Sequence, residues 1–484
     1  VRCLSGRRRA SRRDWGASSG GGGAAGGAGF AAGSGLGAPG APAQERFAVH
    51  GSNTIGAELM PAFIEGFAAQ NGYTVARTPG LSTEVETLDL SFGADPIATV
   101  ALERFGSSTS FRGLIADAAE IGMSSRPIKD AEETQFQELF GAGLRQNGSE
   151  HVVALDGLVV VVSPANGKTA IKLSDVSKVF SGEIRDWAEL GRAPGPITVH
   201  ARDSNSGTFD TFKSLVLKPN DVELRPDALR YASNVRLAEA VARDPLAIGF
   251  TPLAFADRAK ALAIALECGM VIEPQKFTVK SEEYPLSRRL FLYTVGAPAT
   301  ASARDLLAYA RSDAAQERIA QVGFVDQAPQ LQEAAMYADR MVNAMAAAGA
   351  SSGERAALQT FFSRTGGMRR LSPTFRFRTG GVLLDAKSQN DAERLARWIL
   401  RPENAEKRVL LIGFADSTGG YAANLELSAR RAEAVRRAIL IQMRPGFDPA
   451  RIEAMGLSTV APIACNDDAL GQAANRRVEA WVSK

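Results

Sequence analysis

From Phe47 onward, short apolar runs alternate with stretches whose apolar residues recur every three or four positions. That switch between two periods predicts α/β architecture, strands followed by packed helices. "RFAVHGSNTIG" reads as a strand ending in a Gly/Ser/Asn/Thr loop, after which Ile55, Leu59, Phe63 and Phe67 mark one helical face. Pro61 falls inside that pattern, so the helix kinks or properly begins there. "FGSSTSFRGLIADAAEIGMSSRPI" repeats the arrangement: a hydroxyl-rich loop, a helix through Phe111, Leu114 and Ile115, and a short strand ending at Ser124-Ser125. "GLVVVVSP" (157–164) is apolar on both faces, the signature of a buried strand. "DPLAIGF" (244–250) and "RRLFLYTVG" (288–296) read as later strands. In "ITVHARDSNSGTFDTFK", Ile197, Val199 and Ala201 alternate with polar residues as a strand does, and Phe209, Phe212 and Val216 mark the buried face of the next helix.

The pattern changes between about 330 and 370, where the chain is alanine-rich, helix-prone and interrupted by Gly and Ser. A smaller α/β unit follows. It has an alternating strand in "PTFRFRTGG", a helical pattern over 389–401, a buried strand in "RVLLIGFAD" and an Arg-rich helix over 421–441. Four regions result: a leader over 1–46, a two-lobed region over 47–330 with its second lobe at about 155–250, a connector over 331–371, and a unit over 372–484. The leader has a basic start, a small-residue middle and Ala41-Pro42-Ala43, the layout of an export signal. Its glycine-rich middle equally fits a disordered leader.

Composition narrows the function classes. A chain of 484 residues exceeds one hydrophobic core. A net charge of +3 lacks the basic excess of a nucleic-acid binder. The three cysteines, Cys3, Cys268 and Cys465, are far apart, match no metal-ligand spacing and read as incidental. With three histidines and no Asp/His constellation, neither a metal, a cofactor nor an enzymatic reaction has material to stand on. No uncharged apolar run reaches the roughly 18 residues of a membrane span.

Three loops carry candidate chemistry. "HGSNT" (50–54), "GSST" (106–109) and "RDSNSGT" (202–208) each join an extended segment to a helix and are rich in Gly and hydroxyls. Ser206, Gly207 and Thr208 fall in a first turn, where free backbone N–H groups favour an anion, and Arg202 adds a planar guanidinium. The same residues equally suit a plain helix cap. None of the loops fits the phosphate-binding pattern of nucleoside triphosphatases.

The stretches "GSNTIGAELMP", "AEIGMSSRPI", "VFSGEIRDW", "RDSNSGTFDTFK", "AIGF" and "YPLSRRL" occur in an order that resembles PstS-type phosphate-binding proteins of ABC transporters. The resemblance implies a two-lobed periplasmic-binding-protein fold, type II-like, with inorganic phosphate held between the lobes and an ABC permease as a partner. Carried over by position, the ligands are Thr54 and Ile55, largely through backbone N–H, with Ser107, Arg202, Ser206, Gly207 and Thr208. Arg202 is then the counter-charge, and Arg202→Ala is expected to weaken binding by roughly 2–5 kcal/mol. Well-studied members carry an Asp that accepts the proton of hydrogen phosphate, and the matching position here is Ser125. A hydroxyl both donates and accepts, so phosphate loses one basis of distinction from sulfate.

In the last region, Asn424, Ser428 and Arg431 share a helical face and Leu425, Ala432, Val435 and Ile439 form an apolar stripe. Asp416, at a strand end, and Arg431 either form an ordinary salt bridge or hold the two ends of a zwitterion. The motifs "ADSTGGYAANLELSARRAEAV" and "GLSTVAPIACNDDALGQAANRRVEAWV" resemble the OmpA-like peptidoglycan-binding domain, a small α+β fold. The resemblance implies that Asp416 and Arg431 hold the diaminopimelate of the peptidoglycan stem peptide, with Asn424 and Asn475-Arg476-Arg477 nearby. Phe414 and Ala415 stand where the family commonly has His and Thr. Together the two resemblances imply a non-enzymatic phosphate receptor of the periplasm, bound to peptidoglycan near the outer membrane and serving uptake. The alternative is an envelope structural or sensory protein whose first domain binds another oxyanion such as sulfate.

Overall fold

The computed structural model describes residues 44–145, 148–204, 206–346 and 351–483. Residues 1–43 of the proposed leader, Cys3 among them, lie outside the described residues, whereas Glu45 and Arg46 at its end open the first strand.

The first lobe contains β1 (Glu45–Gly51), α1 (Met60–Asn71), β2 (Thr74–Pro79), β3 (Val85–Phe92), β4 (Asp95–Glu103), α2 (Ser107–Ile115), β5 (Ile121–Ser124) and α3 (Asp130–Phe140). β6 (Glu150–Val162) crosses into the second lobe. There follow β7 (Ala170–Lys172), α4 (Leu173–Ser181), β8 (Thr198–Arg202), α5 (Gly207–Phe212), β9 (Leu229–Tyr231), α6 (Asn234–Arg243) and β10 (Ala247–Pro252). The lobe closes with β11 (Lys260–Ala261), β12 (Ala263–Ala265), β13 (Val271–Ile272) and α7 (Lys276–Lys280). β14 (Ser287–Tyr293) returns to the first lobe, before α8 (Ala301–Arg311) and α9 (Ala315–Gln321).

One sheet runs through both lobes in the order β2-β3-β4-β1-β5-β14-β6-β10-β8-β9, with β11 also on β6. β6 makes this continuity possible. Its first half pairs antiparallel with β14 and its second half with β10, and every residue after Glu150 is buried. A strand covered on both faces gains from an unbroken apolar run, which is why 157–164 shows no alternation. Pro61 does not kink its helix. A π-turn spans Ile55–Leu59, and α1 then starts at Met60 with the proline in its first turn, where a missing N–H costs nothing. The second lobe's core reaches from Leu155 to Leu286 and adds Val325, further along the chain than 155–250.

The C-terminal part comprises α10 (Ala334–Ala346), α11 (Ser352–Thr365), β15 (Met368–Arg376), α12 (Ala386–Ile399), β16 (Val409–Phe414), α13 (Tyr421–Leu440), β17 (Ile452–Gly456), α14 (Ala469–Asn475) and β18 (Arg477–Ser483). Its sheet has the order β15-β18-β16-β17. α10 and α11 are not a bare connector. Ala344, Ala357, Leu358 and Phe361 pack with Phe414 and Trp481 of this sheet. α11 is started by Ser351, whose Oγ accepts from the Glu354 N–H at 3.1 Å. No described helix is long and apolar enough to cross a membrane.

Two of the cysteines are not incidental. Cys268, in the turn between β12 and β13, is disulfide-bonded to Cys465 of the C-terminal part, 197 residues away. Sequence distance hid this pairing, because the fold rather than the spacing brings the two turns together. A buried charge cluster lies along the same seam. Arg370 Nη1 stands 2.5 Å from Glu283 Oε1, and Arg340 and Arg477 donate to Glu479 at 2.8 and 2.7 Å. Burial pushes the Glu283 carboxyl up, but Arg370 and Arg340 outweigh it and hold the group below its usual range.

Candidate functional site

The three hydroxyl-rich loops meet at the mouth between the lobes. Gly106 N–H donates to Gly51 O at 2.8 Å and Ser52 N–H to Met123 O at 2.9 Å, so the loops after β1, β4 and β5 are laced together. Ser107 starts α2 behind Gly106, whose φ of +99° a side chain would strain. Ser107 Oγ accepts from the Ser125 N–H at 3.0 Å and lies 3.2 Å from Ser125 Oγ. From the other lobe comes the start of α5. Ser206 is its cap, accepting from the N–H of Thr208 at 3.2 Å and of Phe209 at 3.5 Å. The lobes touch where Thr54 Oγ1 donates to Gly207 O at 3.2 Å. A Cβ on Gly207 would sit 2.7 Å from Thr54 Cα, so glycine serves here for backbone-to-backbone approach. Thr54, Ile55, Ser107, Ser125, Ser206, Gly207 and Thr208 thus gather in one place.

Arg202 does not join them through its guanidinium. Its Nε donates to Tyr231 O at 3.1 Å, its Nη2 to Ala232 O at 3.0 Å, and its Nη1 to Asn234 Oδ1. These bonds fix the chain leaving β9 within its own lobe. A guanidinium that does bridge the lobes is that of Arg288 on β14. Its Nη2 donates to Thr54 Oγ1 at 2.9 Å and to Thr211 Oγ1, and its Nε donates to Asp156 Oδ2 at 3.3 Å. Asp156 also accepts from Thr211 Oγ1 at 2.9 Å. Both Arg288 and Asp156 are buried on the two strands that cross between the lobes. Burial pulls the Arg288 pKa below the usual guanidinium value, against the pull of Asp156 and Asp210. Asp210, bonded at 3.4 Å to Asn53 Nδ2 of the opposite lobe, is pushed up by burial against the Arg288 charge. A signal for Arg288 exists in "YPLSRRL": adjacent strand residues face opposite sides, so one of the two arginines has to face the cleft.

In the C-terminal part, Asp416 closes the loop after β16. Its Oδ1 accepts from the Thr418 N–H at 2.9 Å and its Oδ2 from Arg476 Nη1 at 2.6 Å. Asn424 Nδ2 donates to Thr418 O at 3.0 Å and Asp416 O at 3.3 Å. Arg431 is buried on α13, donating from Nε to Gly381 O at 2.9 Å and from Nη2 to Arg378 O at 3.1 Å. Its Nη1 is buried with no hydrogen-bond partner among the described residues. Burial, then the Arg476 charge, lower its pKa to about 10, with Asp416 opposing. Asp416, Asn424, Arg431 and Arg476 therefore form one charged cluster. Asn475 supports it by binding the Ile463 and Ala464 N–H groups at 2.9 and 3.2 Å. Arg477 does not belong: it begins β18 facing inward, 4.0 Å over the Phe414 ring and bonded to Glu479. The buried face of α13 carries Asn424, Ser428 and Arg431 beside Ala432, Val435 and Ile439, while Leu425 is exposed.

Residues 37–314 match the PBP superfamily domain and residues 376–476 match the OmpA family. The phosphate-binding protein PstS of Borreliella burgdorferi is 26% identical over 231 residues, which is 47% of this chain and 79% of that protein. That of Bacillus subtilis is 27% identical over 225 residues, 46% of this chain and 70% of the relative. Among solved structures, an ABC-type phosphate transport receptor from Vibrio cholerae is similar at 22% identity and a TM-score of 0.44, covering 58% of this chain and 99% of its own. The peptidoglycan-associated lipoprotein from Burkholderia pseudomallei is similar at 27% identity and a TM-score of 0.21, covering 23% of this chain and 89% of its own. The chain belongs to the PBP superfamily and carries, after its two-lobed receptor domain, a domain of the OmpA family.

Proposed function

We propose that this protein is a non-enzymatic receptor for inorganic phosphate in the periplasm, attached to peptidoglycan through its OmpA-family domain and serving phosphate uptake through an ABC permease. The observation that carries the reading is the gathering of Thr54, Ile55, Ser107, Ser125 and the Ser206–Thr208 turn around the lobe-to-lobe contact beside buried Arg288. Backbone N–H groups and hydroxyls from both lobes supply donors, and Arg288 supplies the charge that an anion between the lobes requires. Arg202 has the supporting task of shaping the second lobe's rim. The PstS names of the relatives point to phosphate as the anion. In the C-terminal domain, Asp416 and Arg431 are the proposed contacts for the ammonium and carboxylate of diaminopimelate, steered by Arg476 and Asn424.

Titration calorimetry with phosphate, sulfate and molybdate is the test. Phosphate is expected to bind, and Arg288→Ala to weaken it by about 2–5 kcal/mol, more than Arg202→Ala does. Wild-type protein that takes up no phosphate overturns the receptor reading. For the wall, Asp416→Ala and Arg431→Ala are expected to abolish co-sedimentation with sacculi, and undiminished co-sedimentation of both overturns the attachment.

A further inference from the structure

We infer that the C-terminal domain is a latch across the receptor cleft: it is locked to the second lobe, grips the first lobe by separable contacts, and so holds the lobes together. The inference rests on contacts that no binding role requires.

The lock on the second lobe is covalent and buried. Cys268 in that lobe is bonded to Cys465. Arg376 Nη2 donates to Ser281 O at 2.7 Å and Glu282 O at 2.9 Å, and Glu283 meets Arg370 at the buried charge cluster. These acceptors flank Val279, Tyr284 and Leu286, which belong to the second lobe's core. The first lobe is held differently. Arg397 on α12 pairs with Asp313 through two bonds of 3.2 Å, and both side chains are about half exposed. Beside it, Arg311 Nη2 donates to Asn390 Oδ1 at 3.2 Å. Arg311 ends α8, whose Ala303, Leu306, Leu307 and Ala310 are core residues of the first lobe. Between the two grips, Arg289 on the crossing strand bonds Asp385 at 2.6 Å.

α12 and β15 share one hydrophobic cluster, so they move as a unit. One rigid body thus holds both lobes on the side away from the cleft mouth. Separating the lobes about β6 and β14 has to break one set of contacts. The disulfide cannot give, whereas the contacts with the first lobe are non-covalent: exposed at Arg397–Asp313, part-buried at Arg311–Asn390, and buried where Arg394 Nη1 donates to Gln327 Oε1 at 3.2 Å and Gln327 Nε2 donates to Val152 O at 3.1 Å. Opening therefore unlatches α12 from the first lobe and leaves the C-terminal domain riding on the second.

The experiment uses the full chain and two perturbations outside the binding machinery. Arg397→Glu sets like charges against Asp313, and dithiothreitol reduces the Cys268–Cys465 bond in folded wild-type protein. Hydrogen exchange of the cleft segments 51–56 and 206–211 is followed without phosphate. Release of bound phosphate is followed by stopped flow. Both perturbations are expected to speed cleft exchange, and Arg397→Glu to speed release by about two- to fivefold, the range for losing one exposed ion pair. Unchanged cleft exchange under both perturbations overturns the latch. The proposal uses the lobes of the receptor reading but not its ligand: a protein that binds no phosphate fails that reading, while the exchange measurement still decides the latch.

Discussion

Substituting Gly207 by alanine adds one methyl group at the point where the lobes touch. That Cβ would lie 2.7 Å from Thr54 Cα and 3.1 Å from both Thr54 N and Thr54 Oγ1. Carbon atoms in contact prefer about 3.5–4.0 Å, so the lobes have to part by about 1 Å. Neither side can turn away, because the atoms concerned are mostly backbone. Overpacking of this kind costs about 1–3 kcal/mol. If the closed arrangement is the one that holds the anion, affinity falls by roughly 5- to 150-fold. Stability moves the other way. Gly207 opens α5 and is absent from the positive-φ glycines, so alanine gains up to about 1 kcal/mol of helix propensity. Calorimetry is therefore expected to show weaker phosphate binding, with a melting temperature that is unchanged or raised. Wild-type affinity in Gly207→Ala refutes the reasoning, since closure would then not depend on this contact.

Glu283→Ala leaves Arg370, Arg340 and Arg477 buried around Glu479 alone and is expected to lower stability by about 3–5 kcal/mol in urea denaturation, with Glu283→Leu combined with Arg370→Met recovering much of it. His151 is buried, and burial followed by the Arg311 charge lowers its pKa to about 3. The unfolded chain therefore takes up that proton first as pH falls below about 6.5, and the histidine's contribution is complete above that pH and is lost toward pH 3 at up to about 1.4 kcal/mol per unit. His151→Phe, which removes a side chain whose Nε2 has no hydrogen-bond partner among the described residues, is expected to flatten the urea midpoint between pH 7 and 4.5. Arg476→Ala frees Asp416 Oδ2 from its 2.6 Å bond and is expected to weaken sacculus binding less than Asp416→Ala does, as measured by co-sedimentation.

Much of this was legible in the sequence, for identifiable reasons. The apolar run of β6 and the 3.6-residue spacing through Ile55, Leu59, Phe63 and Phe67 report burial directly, and all of those residues are buried. The loops at 50–54, 106–109 and 202–208 were visible through their Gly and hydroxyl content, and the fold does bring them to one mouth. What the sequence alone does not convey shares a cause: it depends on which way a residue faces or what the fold places beside it. Arg202 and Arg288 both sit next to the cleft in sequence terms, yet backbone acceptors at Tyr231 and Ala232 claim the first and leave the second between the lobes. Arg476 and Arg477 are neighbours in the sequence, yet the first ends α14 and reaches Asp416 while the second opens β18 and faces Glu479. The pairing of Cys268 with Cys465 is a product of tertiary packing that spacing cannot encode.

Arg288 and Arg289 stand side by side on β14, one toward the cleft and one toward Asp385 of the OmpA-family domain. The two halves of the molecule are consequently poor candidates for free recombination. Removing everything after residue 330 would strip Arg289 of one of its two carboxylates, leave Glu283 without Arg370, and turn Cys268 into an unpaired thiol. Each domain thus completes ion pairs and a disulfide whose other halves lie in its companion.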